Sequence, residues 1–328
     1  MIFSPSRIFL GAALVALLLP HFLATHLVGA QEASPQAASP IPASGEFEGL
    51  VDIGNDRHLY LTCRGSGSPT VLLEAGAGNN GQIWEQIAFP PDSDAEAVFP
   101  AVAQFTRVCA YDRPGTLLDE THLSRSDPAP GPRTAQEMVA DLHALIESAD
   151  LQTPLVLVGH SFGGFIVRLY ALMYPSDVAG LVFVDSAHEV YYRGMEAVLS
   201  PSQWNQYFAM PPADPAFEPI DVLTSVDQIE TAQAAAALPA VPAIVLTHGG
   251  DFPFPDDFPV AEVERIWRSG QEQLAGLIAG TPLIVAAESG HYIQLDQPGL
   301  VATAIQTVVD AVRDPAAWPP PASSPAST

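Results

Sequence analysis

Pro154-Leu155-Val156-Leu157-Val158-Gly159-His160-Ser161-Phe162-Gly163-Gly164 is the stretch from which the rest of the chain is read. Leu155 to Val158 is a short continuous apolar run of Val and Leu, the pattern of a strand buried on both faces. It stops at Gly159-His160-Ser161-Phe162-Gly163, and an apolar-periodic segment follows, so the pattern predicts strand, sharp turn and helix. In such a turn Ser161 must take a strained backbone angle. Its neighbours must be small, because the chain folds back on itself within van der Waals contact. Gly159 and Gly163 supply that room. The turn lifts the Ser161 hydroxyl off the sheet edge and aims the Phe162 N–H, at the helix N-terminus, toward charge forming there.

Outward from this stretch, strands and helices alternate. Phe47 to Ile53 and His58 to Cys63, separated by Gly54-Asn55-Asp56, predict an opening antiparallel pair. Strands follow at Thr70 to Glu74 and Thr106 to Tyr111. Thr134-Ala135-Gln136-Glu137 is a capping-box pattern opening a helix whose stripe is Met138, Val139, Leu142, Leu145 and Ile146. Pro175 ends the helix that begins at Phe162. A strand at Leu181 to Val184 runs into Asp185. Later come strands at Ala243 to Leu246 and Pro282 to Ala286, with helices over about Val260 to Ile278 and Leu300 to Arg313. Repeated β-α units imply an α/β fold, a mostly parallel central sheet with helices on both faces.

Gly159-x-Ser161-x-Gly163 in this setting, with Gly290-His291 directly after the last strand and the serine preceding the histidine, resembles the α/β-hydrolase superfamily. The resemblance covers residues 46–313. It implies a helical cap inserted after the sixth strand, over about 189–240, where Tyr191, Tyr192, Met195, Trp204, Tyr207, Phe208 and Met210 either face a substrate or pack the cap onto the body. It also implies Ser161 as nucleophile and His291 as base, since a serine hydroxyl needs a base to take its proton and an acid to hold that base in one tautomer. Two residues compete as the acid. Asp185 in Val184-Asp185-Ser186-Ala187-His188-Glu189 is favoured, because Asp251, the alternative, is followed by Phe252-Pro253-Phe254-Pro255-Asp256-Asp257, a poor rigid mount. The oxyanion donors would be the N–H groups of Phe162 and Ala77, with Ala75 standing where relatives carry a histidine. His160 and His188 read as pocket-lining or hydrogen-bonded histidines.

The implied activity is cleavage of a carboxylic ester or related acyl substrate, a small molecule, by an esterase-like serine hydrolase that needs no cofactor and no metal. Acyl transfer, perhydrolysis and carbon–carbon bond hydrolysis use the same triad and stay open, as does a ligand-binding protein that has lost turnover. Gly76-x-Gly78-x-x-Gly81 matches a dinucleotide-binding fingerprint literally. Two strands precede it, however, and Asp112 lies too far on, so a hydrolase oxyanion loop explains the glycines better. Asp112-Arg113-Pro114-Gly115 reads as a structural turn with Arg113 in an ion pair.

The ends differ from the body. Residues 1–30 combine Arg7, an apolar run from Ile8 to Leu19 and Val28-Gly29-Ala30, resembling a secretory signal peptide; an uncleaved membrane anchor is the alternative. Cleavage would leave no stable membrane span and a secreted or cell-envelope protein. Residues 31–45 and 314–328 are rich in Ala, Ser and Pro and read as a flexible linker and tail. A net charge of −25, with all twelve basic residues Arg, argues against nucleic acid and anionic lipid as partners. Oligomeric state is not legible. The cysteines Cys63 and Cys109 show no zinc-like spacing. In the fold the chain resembles, they fall on neighbouring strands, which leaves open a disulfide or two buried thiols.

Overall fold

A computed structural model describes residues 45–88, 95–118, 122–207, 218–250 and 258–318. The leader, residues 31–44 of the linker, Phe208, Met210, Asp251 and residues 319–328 lie outside the described residues. The strands are β1 (Phe47–Asp52), β2 (His58–Arg64), β3 (Val71–Glu74), β4 (Val108–Tyr111), β5 (Leu155–His160), β6 (Val178–Val184), β7 (Ala243–His248) and β8 (Leu283–Ala286). They form one sheet in the order β1-β2-β4-β3-β5-β6-β7-β8. The β1–β2 and β2–β4 pairs are antiparallel and the rest parallel, so the opening hairpin and the mostly parallel α/β sheet are both found.

The helices among the described residues are α1 (Val98–Ala103), α2 (Ala135–Ser148), α3 (Phe162–Met173), α4 (Glu189–Val198), α5 (Pro201–Tyr207), α6 (Val222–Ala235), α7 (Val260–Gly276), α8 (Ile293–Asp296) and α9 (Pro298–Arg313). Successive strand residues face opposite ways, and β5 shows what that demands. Leu155 and Leu157 pack with Met138, Leu142 and Leu145 of α2 and Phe165 of α3. Val156 and Val158 pack with Phe99 of α1 and Ile305 and Val308 of α9. Both faces are covered, so the strand is an unbroken apolar run. Burying each such side chain contributes roughly 1.5–3 kcal/mol, and the sheet is thereby a rigid mount for whatever stands at its strand ends.

Thr134 and Glu137 make both halves of the expected capping box at the start of α2. Between β6 and β7 lie α4, α5 and α6, where the cap is expected. Its described aromatics pack rather than line an open surface. Tyr192 and Met195 are buried, Tyr191 stands edge-on to Trp267 with ring centroids 4.8 Å apart, and Trp204 packs on the cluster of Met195, Leu199, Phe258 and Val263. Cys63 and Cys109 stand opposite each other across β2 and β4 and form a disulfide. No described helix is long and apolar enough to cross a membrane.

Two segments read as linker and tail have ordered residues at their inner ends. Within 314–328, Asp314 caps a 3-10 turn at Pro315–Ala317, and Trp318 packs against the core beside α9. One indole offers enough apolar area to order a stretch whose composition reads as unstructured. Gly45, assigned to the linker, is held by its N–H to Gly65 and by Arg107, which donates to its carbonyl at 2.9 Å.

Candidate active site

Ser161 sits between β5 and α3 at φ +51° and ψ −123°, the strained turn that the sequence predicts. A Cβ on Gly159 would stand 2.5 Å from the Gly164 Cα, and one on Gly163 would stand 2.4 Å from the Ala75 carbonyl oxygen. Both positions therefore need glycine for space. The Ser161 carbonyl accepts from Gly164 and Ala187 N–H, and its own N–H donates to Val184, so the elbow is stitched to the end of β6.

The next residue after β6, Asp185, is fully buried, and its backbone also lies in the left-handed region at φ +42°. Its Oδ2 lies 2.7 Å from Nδ1 of His291, the residue expected as base. Further donors converge on the same carboxylate. Oδ1 accepts from the His248 N–H at 3.1 Å, the Trp267 Nε1–H at 3.0 Å and the Thr247 hydroxyl at 3.3 Å, and Oδ2 also meets His248 Nδ1 at 2.8 Å. Burial alone would push the Asp185 carboxyl up, but the hydrogen bonds of His248 and His291 outweigh it and hold the group well below the usual carboxylate range. The structure brings Asp185 and His291 together; Asp251 lies outside the described residues.

His160, the variable residue of the elbow, is buried, and its Nε2–H donates to the His291 carbonyl at 3.0 Å. Burial, then the neighbouring His291, pushes its pKa down to about 3. It is a neutral brace for the histidine loop, in line with its expected hydrogen-bonding role. His188 caps α4, its Nδ1 accepting from Val190 N–H at 3.2 Å.

The glycine-rich loop passes directly over the elbow. A Cβ on Gly76 would lie 3.1 Å from the Ser161 Cβ, so the loop that carries Ala77 passes close to the serine. Phe162 opens α3, so its N–H has no acceptor within the helix. Arg113, buried, forms the anticipated ion pair and more. It donates to the Ala75 and Gly76 carbonyls at 2.8 Å each, pairs with Glu74, and meets both oxygens of Glu218 at 2.7 Å. Glu218 in turn accepts from Gly78 N–H at 3.0 Å, and Asp112 from Gly81 N–H at 3.0 Å. The fingerprint glycines thus run into a 3-10 turn at Gly81–Glu85 pinned by carboxylates, and carboxylates at those N–H groups leave no place for a pyrophosphate.

Sequence reasoning missed His248, Trp267, Glu264 and Glu218. His248 alone had a local signal, since it is the last residue of β7, a strand-end position beside that of Asp185.

A sheet of this order with a strained serine after β5 and a histidine after β8 defines an α/β hydrolase. The sequence model of the alpha/beta hydrolase family matches residues 71–304, and the chain belongs to that family. A curated relative from Hormonema carpetanum, "Probable transporter efuK", is 33% identical over 174 residues, covering 51% of this chain and 22% of that protein. The chain's matches span between 22% and 42% of the length of the first such relatives. Among solved structures, the haloalkane dehalogenase DatA from Agrobacterium tumefaciens C58 is similar at a TM-score of 0.53 and 18% identity, over 82% of this chain and 97% of that one. Est816, an N-acyl homoserine lactone degrading enzyme, is similar at 0.51 and 19%, over 79% and 99%. At such identities the likeness is one of fold.

Proposed function

We propose that this hydrolase is a serine esterase-like enzyme that cleaves a carboxylic ester or related acyl substrate through an acyl-enzyme. The observation that carries the reading is the 2.7 Å contact between the buried Asp185 carboxylate and His291 Nδ1, at the mouth of a serine elbow. With Nδ1–H committed to Asp185, Nε2 of His291 is left as the basic nitrogen, the tautomer a general base needs. His291 takes the Ser161 proton as Oγ attacks the carbonyl. The N–H groups of Phe162 and Ala77 receive the oxyanion, each donor of this kind being worth about 10²–10³ in rate. His291 then gives the proton to the leaving alcohol, and water, activated by the same nitrogen, frees the acid.

DatA is a haloalkane dehalogenase and Est816 an N-acyl homoserine lactone degrading enzyme. A lactone is an internal ester, so the second chemistry suits a serine nucleophile directly. Export is part of the same proposal. The Cys63–Cys109 disulfide supports it, because such bonds persist in oxidising compartments.

The test is hydrolysis of p-nitrophenyl esters of short to long acyl chains by the full chain and by Ser161→Ala, with fluorophosphonate labelling in parallel. Turnover and labelling that both vanish in the variant are expected. An unlabelled, inert wild type would overturn the reading in favour of a binding protein.

A further inference from the structure

The proposed triad acid, Asp185, meets two histidines, and only His291 is assigned a part in the reaction. His248 Nδ1 lies 2.8 Å from Asp185 Oδ2, the same oxygen that His291 meets at 2.7 Å, and His248 Nε2 lies 3.0 Å from Glu264 Oε2 on α7. An ionised carboxylate only accepts hydrogen bonds. Asp185 therefore requires N–H at Nδ1 of both rings. Glu264 Oε2 meets His248 Nε2 on the other side of the ring, and a carboxylate there requires N–H at Nε2 of His248 as well. A neutral His248 would set a nitrogen lone pair against a carboxylate oxygen at one end or the other. The geometry is met in full by an imidazolium clamped between two carboxylates.

We propose that His248, held as a cation between Asp185 and Glu264, is a positioning residue that fixes the Asp185 carboxylate and tunes the pH at which the triad becomes active. This rests on the reading of Asp185 as the triad acid. The His248 cation shares the negative charge of Asp185 with the charge that His291 acquires during turnover. A like charge on the far side of the carboxylate opposes the positive charge that His291 gains in turnover, so removing it should ease that gain.

Among the described residues, the groups facing His248 include Asp185 after β6, Glu264 from α7 with the Tyr191 hydroxyl near it from α4, the Trp267 ring, and His291 across the shared oxygen. Burial opposes a charge on His248, yet the hydrogen bond and charge of Asp185, then those of Glu264, raise it above the ordinary histidine value.

Two variants separate the parts. His248→Asn keeps a side-chain N–H near the Nδ1 position and removes the charge. Glu264→Gln, at a partly exposed site, removes the outer clamp and leaves the core untouched. The full chain, labelled with 15N-histidine, is followed by NMR across pH, with the His248 ring signals assigned by their absence in His248→Asn. The acid limb of kcat/KM on a p-nitrophenyl ester is measured beside it. His248 should keep both ring protons above about pH 6.5, where an ordinary histidine loses one, and Glu264→Gln should bring its titration down by about one pH unit. The acid limb in His248→Asn should move up by about one pH unit.

Titration of wild-type His248 at the ordinary histidine value, or an unmoved His248 titration in Glu264→Gln, would overturn the proposal. So would an unmoved acid limb in a folded His248→Asn enzyme. The NMR arm reads the clamp in a protein that turns over no ester, so a failed esterase reading and a failed clamp give different results.

Discussion

Glu218→Gln isolates the contact by which the chain leading into α6 holds the oxyanion loop. Glu218 is fully buried; its Oε1 accepts from Arg113 Nε, and its Oε2 from both Arg113 Nη2 and Gly78 N–H. The amide that replaces it has one acceptor oxygen. Its better orientation puts that oxygen at the Oε2 position and keeps two bonds, but turns an NH2 against the Arg113 Nε–H. One charge-assisted bond is lost, two donors oppose each other, and a buried guanidinium keeps Glu74 alone as its counter-charge. Breaking a buried pair in this way costs about 3–5 kcal/mol. For a domain of this size that lowers Tm by on the order of 10 °C.

Gly78 adjoins Ala77, and its N–H would then be held by a neutral amide oxygen in a strained pocket instead of by a carboxylate, so the same change weakens the hold on a proposed oxyanion donor. kcat at a temperature where the variant is fully folded should fall by about tenfold, a fraction of the 10²–10³ expected for outright loss of a donor. Denaturant titration and ester kinetics on one preparation give both numbers. A variant that unfolds at the wild-type midpoint and turns over at the wild-type rate would refute the idea that this carboxylate supports the loop.

Asp185→Asn should lower kcat by as much as about 10⁴ while Asp251→Asn stays near wild type; ester kinetics on the two variants decide between them. Because the Asp185 carboxyl is held low in the folded protein, its contribution to stability is complete above about pH 4 and is lost as pH falls further. Acid denaturation of Asp185→Asn should therefore show a shallower loss of stability below that pH. Replacing Cys63 and Cys109 together by serine removes a cross-link between residues 46 apart in sequence and should cost about 2–5 kcal/mol, read from urea midpoints.

What was legible in the sequence follows the range of the interactions. β5, the elbow and α3 are local features, since a doubly buried strand must be apolar throughout and a reversal this tight must have glycine at Gly159 and Gly163. The terminal Gly290-His291 was visible for the same reason. The short α1 was not, because Pro100 interrupts a run of only six residues and no periodicity can establish itself. Glu218 holds Gly78 across 140 positions, and Trp267 and His248 reach Asp185 across 82 and 63. For Glu218 and Trp267 nothing in the neighbouring residues encodes those meetings, and for His248 the one local signal is its place at the end of β7. The sequence favoured Asp185 over Asp251 on its mounting; donors from His248, Trp267 and Thr247 converge on Asp185, while Asp251 lies outside the described residues.

The disulfide also makes the molecule mechanically asymmetric. Phe47, the first residue of β1, pairs with Cys63, which pairs with Cys109 on β4, so a load applied at the N-terminal end enters on the cross-linked rung. Were the protein tethered through that end, pulling would peel β1 and then β2 away rung by rung until the chain came taut at Cys63. Extension would stop there after the stretch from Gly45 to Cys63 had paid out, about 60 Å of chain. From there the load would pass through the cross-link to Cys109, within β4, instead of peeling β4 from its end. A reducing agent would abolish that arrest in a single-molecule pulling trace. In a protein held by that end, the cross-link would thus act as a mechanical stop ahead of the strands that hold the site.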